Sequence, residues 1–395
     1  MTAHVDRFCA DALPPRTKWP DLLFDLPELR FDPVMNASDR LLDVHVREGR
    51  GGRRCILSPD LTWTYAQLQQ KANQIARVLV EEMDVVPGNR VLLRGFNSPM
   101  LAACWFAVLK AGAVAVTAMP LYRAAELQTI QEKVRVEHAL CDIRLADELN
   151  ATENRDRLRT LFWGNGELEA AMDAKPDSFE NVPTAAEDVA IIGFTSGTTG
   201  KPKAAAHFHR DLIATCETYG RHVLQVRPDD LIAGSPPLGF TFGLGGLLLF
   251  PLHAGAATLL LEKAQPEPLL QAIAQHKVTT IFTAPVAYRA MTDMLEAHDI
   301  RSLRSCVSAG ETLPKPVWDA WHAATGLRIL DGIGSTEMLH IFIGSPEDRV
   351  VAGSTGQPVP GYIAQIHDDS GNEVARGEIG RLAVKGPTGC KYLDD

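Results

Sequence analysis

What most constrains the fold of this chain is a regular exchange of short apolar or β-branched runs with amphipathic stretches of helical period. Residues 90–94 read as a strand, 100–109 as a helix and 113–118 as the next strand. The exchange recurs as strand 256–261, helix 266–275 and strand 279–283. It recurs again as strand 304–308, helix 315–324 and strand 328–333. Between residues 65 and 80, Leu68, Ala72, Ile75, Ala76, Leu79 and Val80 fall on one helical face. Strands alternating with helices of this length imply parallel sheets with helices on both faces. A length of 395 residues with 46% apolar content suits one or two such sheets and two or three subdomains. The pattern changes after about residue 345. There 353–361, 363–367 and 377–384 read as short strands between Gly, Pro and Asp turns. The expected division is a large α/β region, 1–345, in two subdomains, followed by a small antiparallel or barrel-like β subdomain, 346–395.

The net charge of −10 offers no basic field for nucleic acid or anionic lipid, so an anionic ligand must be held by local donors. The seven cysteines are scattered and never in C-x-x-C spacing, which reads as reduced core thiols in a cytoplasmic protein without a thiolate–metal site. The N-terminus lacks the basic and apolar regions of a signal peptide. Leu231 to Leu261 carries no Lys, Arg, Asp or Glu, but Pro236-Pro237, Pro251, His253 and several glycines interrupt it. A buried strand–loop–helix–strand passage is expected there rather than a membrane span.

The strongest motif runs from Thr195 to Lys203, reading Thr-Ser-Gly-Thr-Thr-Gly-Lys-Pro-Lys directly after a strand at 188–194. Gly197 and Gly200 permit backbone conformations closed to other residues and let amides approach a phosphate. Thr195, Ser196, Thr198, Thr199 and the two lysines add donors for oxyanions. A Walker-type loop needs G-x-x-x-x-G-K-[ST]. Here Pro202 follows Lys201, and Thr195 stands where the first glycine would be. His207 and His209 have H-x-H spacing on what reads as a strand. With no third ligand nearby, a structural or pocket-lining role is expected for both.

The loop with its flanks, 191–206, resembles the phosphate-binding signature of the adenylate-forming superfamily of acyl- and aryl-CoA ligases, luciferases and adenylation domains. Four further segments match that family in order: Ser308–Leu313, Asp331–Glu337, Gly353–Pro358 and Gly377–Leu382, with Ile333 replacing the usual aromatic. The resemblance implies two mostly parallel sheets layered α/β/α/β/α plus a small β-barrel-like subdomain. It implies ATP, Mg²⁺ and coenzyme A as cofactors or co-substrates. Thr195, Ser196, Gly197, Thr198, Thr199, Gly200 and Lys203 would contact the outer phosphates, Thr336 the α-phosphate, and Glu337 would hold Mg²⁺. Gly310, Glu311, Asp331 and Gly332 would lie around the adenine. Lys203, Thr336 and Glu337 would carry the catalysis.

The string 331–342 resembles benzoate- and 2-aminobenzoate-CoA ligases, as does the N-terminal Leu13–Arg16 with Trp19–Asp21. By that resemblance Thr241, Phe242, Gly243, Ile333, Gly334 and His340 would surround a small aromatic acid, and His340 would bond its carboxylate or an ortho amine. The implied function is ATP-dependent acyl-AMP formation followed by thioester formation with coenzyme A. Medium-chain fatty acids, and a non-catalytic module binding nucleotide or aromatic acid, stay open as alternatives. No acid lies in 239–246 to pair with a substrate ammonium, which argues against amino acids. Family members carry, after the segment matching Gly386-Pro387, a ribose-binding Asp and a swinging domain with a catalytic lysine. The resemblance places both beyond Asp395, so slight thioester synthesis is expected of this sequence. Partners are small molecules, with no nucleic acid and no membrane span, and a homodimer is an open assembly state.

Overall fold

The alternation read from the sequence builds two sheets in a computed structural model that describes residues 1–196 and 202–394. The strands in chain order are β1 (Arg54–Ser58), β2 (Leu61–Thr64), β3 (Arg90–Arg94), β4 (Val114–Ala118), β5 (His138–Asp142), β6 (Arg159–Trp163), β7 (Val189–Ser196) and β8 (Pro202–Phe208). They continue as β9 (Leu231–Gly234), β10 (Ala257–Leu259), β11 (Thr280–Thr283), β12 (Ser305–Ala309), β13 (Ile329–Gly334), β14 (Ile341–Gly344), β15 (Gln357–Pro358), β16 (Ile363–His367) and β17 (Arg381–Lys385). One sheet has the order β6-β5-β3-β4-β7-β8, parallel except for the terminal β7–β8 pair. The other has the order β15-β14-β13-β12-β11-β9-β10-β1-β2, parallel from β13 to β1.

Alternation along the strands explains the layering. Val91 and Leu93 of β3 point into one apolar cluster, shared with Ile56, Ile232, Val307 and Leu330 of the other sheet. Leu92 points the opposite way, into a second cluster with Val116 and Ile192. A third cluster covers the outer face of the larger sheet through Ala233, Leu259, Ile281 and Ile329. Each parallel strand thus has both faces covered by apolar groups, as such sheets require. The helices Tyr65–Glu81 and Pro99–Lys110 fill the middle layer. Thr64 and Gln67 form a reciprocal capping box that starts the first of them. The helices Pro266–His276 and Lys315–Thr325 cover the outer face of the larger sheet.

The uncharged stretch resolves into β9, the helical segments Thr241–Leu244, Gly245–Leu249 and Phe250–His253, and β10. No helix among the described residues is long and apolar enough to cross a membrane. The strand expected over 353–361 shrinks to the two residues of β15, which join the larger sheet. Gly353, Gly356 and Gly361 all adopt positive φ, which breaks extended structure on both sides. After it, β16 and β17 pair as a two-stranded antiparallel sheet.

Candidate active site

The Thr195–Lys203 motif begins in β7 and ends in β8. Thr195 pairs with Lys203 and Ser196 with Pro202, so both ends of the motif are strand rather than loop. The contacts expected of Gly197, Thr198, Thr199 and Gly200, and of the Ser196 side chain, lie outside the described residues.

Residues far apart in the chain converge beside this hairpin. The segment 391–393 runs along β8: Ala206 N donates to Lys391 O at 2.9 Å and Leu393 N to Ala204 O at 2.9 Å. Tyr392 forms an antiparallel bridge with Ala205. The Lys203 Nζ lies 4.7 Å from the Tyr392 ring centroid, and the Tyr392 hydroxyl donates to Glu337 Oε1 at 2.6 Å. Lys203 and Glu337, expected to serve one triphosphate, are therefore brought together through a tyrosine that the sequence reading did not select.

Thr336 is buried against β7. A Cβ at Gly193 would lie 2.8 Å from Thr336 Cγ2, so the glycine makes room for it. The Thr336 carbonyl accepts from Leu339 N at 3.1 Å, and His207 Nε2 donates to it at 2.7 Å. Leu339 closes this turn with φ +71°, a conformation costing a leucine on the order of 1–3 kcal/mol. Thr388 Oγ1 supports the turn by donating to the Met338 carbonyl at 2.9 Å.

The two histidines of the H-x-H pair part ways. His207 ends on β8, whereas His209 opens the helix His209–Thr215, and its Nδ1 accepts from Ala37 N at 3.1 Å. Behind His207 lies a buried ionic group: Asp211 Oδ2 is 3.7 Å from His207 Nδ1 and 3.6 Å from Lys391 Nζ. Burial alone would push the Asp211 carboxyl up, but the Lys391 ammonium and the His207 imidazole hold it below its ordinary value. The Lys391 ammonium also lies 4.6 Å from the Phe208 ring centroid.

On the opposite side, Ser308 of β12 and Asp331 of β13 stand side by side in register. The Ser308 hydroxyl and one Asp331 carboxyl oxygen are buried without hydrogen-bond partners. Burial pushes the Asp331 carboxyl up to about 6. Gly310 has φ +92° and open space where a side chain would be, and Glu311 is exposed beside it. Gly332 packs its backbone on Ile341, where a Cβ would come within 2.8 Å. Two orphan polar atoms beside the open space at Gly310 are what a heteroatom-bearing ligand would satisfy.

Between these two sides is a small cavity of about 40 Å³, lined by Phe240, Thr241, Phe242, Gly334 and His340 among others. His340 is buried among rings, its centroid 4.6 Å from Phe250, 5.4 Å from Tyr219 and 5.7 Å from Phe242. A Cβ at Gly245 would lie 2.3 Å from His340 Cδ2, so that glycine clears the space for the imidazole. Burial pushes the His340 pKa down to about 3, so the ring is neutral at physiological pH. Its Nε2 lies 3.3 Å from the Phe242 carbonyl oxygen, a contact that requires the proton on Nε2. The Nδ1 atom is then an acceptor, and it is buried without a partner. Gly243 and Ile333 stand apart from this lining. Gly243 packs on the Pro237 carbonyl, and Ile333, 39% exposed, turns outward from the strand next to a register shift.

A model of the AMP-binding enzyme family matches residues 43–391. The chain belongs to that family. A benzoate–CoA ligase of Thauera aromatica is 32% identical over 373 residues, covering 92% of this chain and 70% of the relative. The crystal structure of the anthranilate CoA ligase AuaEII in complex with anthranoyl-AMP superposes with a TM-score of 0.89 at 31% identity, covering 94% of this chain and 73% of that one. A benzoate CoA ligase from Burkholderia xenovorans LB400 superposes with a TM-score of 0.84 at 28% identity, over 90% of this chain and 72% of that one. Family membership agrees with the cavity being lined by Ala309 and Gly310 after β12, Gly334 and Ser335 after β13, and Phe240–Phe242.

Gly193, Tyr392 and the Asp211–Lys391 pair escaped the sequence reading. A glycine inside an apolar strand, and a lysine flanked by Cys390 and Tyr392, were the available signals. Their meaning depends on pairings across more than a hundred residues.

Proposed function

We propose that this chain activates a small aromatic carboxylate as its acyl-adenylate, for transfer to the thiol of coenzyme A, and that the acid is 2-aminobenzoate in preference to benzoate. The observation that carries this reading is His340. A neutral imidazole whose Nε2 proton faces a backbone carbonyl presents an acceptor at Nδ1. An acceptor suits the N–H of an ortho amine and repels a carboxylate. Aromatic neighbours at this cavity suit stacking on a ring.

In the adenylation step a carboxylate oxygen attacks the α-phosphorus of ATP, and the bond to pyrophosphate breaks. Negative charge builds on the phosphoryl oxygens, so fixed donors there lower the barrier. Lys203 and the β7–β8 tip would supply them to the outer phosphates, and Thr336 to the α-phosphate. Gly310, Glu311, Asp331 and Gly332 would receive the adenine. Among the described residues no group of three His, Cys, Asp or Glu side chains gathers to cage a metal. Mg²⁺ needs no such cage, because one carboxylate plus substrate phosphates suffices. Glu337 fits that demand, since Tyr392 occupies only its Oε1. When bound there, the ion would neutralise phosphate charge. The buried free thiols fit a reducing, cytoplasmic setting.

A thermal-shift panel tests the reading. ATP–Mg²⁺ with 2-aminobenzoate should raise the Tm most, with benzoate less, and with octanoate or glycine no more than ATP–Mg²⁺ alone, since a tighter ligand stabilises more at equal concentration. A larger shift with octanoate would replace the aromatic assignment, and no shift with ATP–Mg²⁺ would remove the nucleotide assignment.

A further inference from the structure

The residue that joins Lys203 to Glu337 belongs to none of the segments that suggested a nucleotide site. Tyr392 is placed by backbone pairing to β8, not by a local motif. Alternation along 391–393 turns Lys391 and Leu393 into the interior, both at most 1% exposed. It turns Tyr392 to the other face, the face of β8 that carries Ala205 and Lys203. There its ring lies 4.7 Å from the Lys203 ammonium, within cation–π range. Its hydroxyl makes a 2.6 Å bond to Glu337 Oε1, the length of a charge-assisted O–H···O⁻ contact. Among the described residues no hydrogen bond reaches the other carboxylate oxygen.

We propose that Tyr392 is a positioning residue of the phosphate–cation site, its hydroxyl orienting the Glu337 carboxylate for a divalent cation and its ring fixing the Lys203 ammonium for the triphosphate. This rests on the nucleotide reading given above. A carboxylate on a turn has several rotamers, and one held oxygen leaves the other presented in a single direction. A lysine has many more, and an aromatic plate beneath its ammonium reduces them. The segment 391–393 thereby acts on both halves of the site without contacting the acid pocket.

The test compares Tyr392→Phe, which keeps the ring, with Tyr392→Leu, which removes ring and hydroxyl. The readouts are Mn²⁺ affinity by electron paramagnetic resonance in the presence of ATP, ATP affinity with and without Mg²⁺, and affinity for 2-aminobenzoate. Tyr392→Phe should weaken Mn²⁺ binding about 10-fold, the scale of a lost hydrogen bond to a charged group. It should leave ATP affinity without metal, and affinity for the acid, unchanged. Tyr392→Leu should additionally weaken metal-free ATP binding. In a Glu337→Gln background Tyr392→Phe should add no further loss, since the two act as one unit. Unchanged Mn²⁺ binding in Tyr392→Phe overturns the proposal, and so does tighter binding, which would mean that the hydroxyl competes with the cation. If the wild-type chain itself binds no ATP, the nucleotide reading falls together with this one. If wild type binds ATP and Mn²⁺ but Tyr392→Phe matches it, only the role of Tyr392 falls.

Discussion

His207 and His340 are both buried, and each brings its Nε2 to a backbone carbonyl, of Thr336 and Phe242 respectively. Their surroundings differ in kind. His207 faces Asp211 and Lys391, so its side of the site balances charge inside the protein. His340 faces four rings and holds one nitrogen without a partner. The first region also leaves His207 Nδ1 and Asp211 Oδ1 without hydrogen-bond partners, but it holds them in a group of opposite charges behind Thr336. The second holds its orphan nitrogen among rings at the lining of the cavity, where a ligand would supply a partner. The comparison predicts that substitutions near His207 act on stability and on phosphate chemistry, whereas those near His340 act on the choice of acid.

The largest expected effect is on the ionic side. Lys391→Met leaves the Asp211 carboxylate uncompensated in the core and should cost about 3–5 kcal/mol of unfolding free energy. Denaturant titration measures it. Adding Asp211→Asn should recover at least half of the loss. A loss that the second change leaves untouched would point to packing against Phe208 and Trp19 instead.

Next come the residues proposed to serve the phosphates. Lys203→Ala or Glu337→Ala should each reduce pyrophosphate exchange about 100-fold, the scale of one transition-state donor. Gly193→Ala should reduce it by about 10-fold, since the new methyl displaces the Thr336 side chain by its Cγ2. These variants should bind 2-aminobenzoate as wild type does. A Gly193→Ala enzyme with full exchange activity would show that Thr336 tolerates rotation.

The contrast between the two histidines also explains what the sequence could disclose. Strands at 90–94 and 363–367 were legible to the residue, because their apolar runs meet flanking turns that end them sharply. The strand over 353–361 was not, because three glycines there take positive φ, which composition does not reveal. The Thr195–Lys203 motif stood out because its residue types are consecutive, and its phosphate role belongs to the proposed function. His209 was read onto a strand because periodicity does not show the helix start, where Asp211 Oδ2 accepts from Phe208 N. Tyr392 and Lys391 were silent, because only the register of 391–393 on β8 gives them a place in the site.

The acid pocket gives the next effect. His340→Phe removes the Nδ1 acceptor, and the preference for 2-aminobenzoate over benzoate should fall by about 10-fold, while benzoate affinity holds within about 3-fold. The same variant tests the buried neutral state. The ordinary value of 6.5 falls to about 3 in the folded chain, so the unfolded chain binds more protons between those limits. The stability this provides is full above pH 6.5 and is lost as pH falls toward 3. His209, also pushed to about 3 by burial, titrates in the same window. His340→Phe should therefore flatten about half of the acid loss that these two histidines cause, read from Tm against pH.

The smallest effect is expected at the β12–β13 edge, the proposed adenine side, where the sign reverses. Asp331 is raised from 3.8 to about 6 by burial, so the folded chain holds the extra proton in that window. Its contribution is full below pH 3.8 and is lost as pH rises through 6. Asp331→Asn should remove this dependence and raise stability at pH 7 by about 1 kcal/mol, a figure reduced for the partial exposure of the carboxyl. If Asp331 is held for the ligand, as the unpartnered oxygen implies, the same variant should weaken ATP binding while stabilising the free protein. A variant that gains stability and binds ATP undiminished would assign the buried carboxyl to neither side of the comparison, and would leave the Ser308 hydroxyl and His340 Nδ1 as the orphan atoms that a ligand would satisfy.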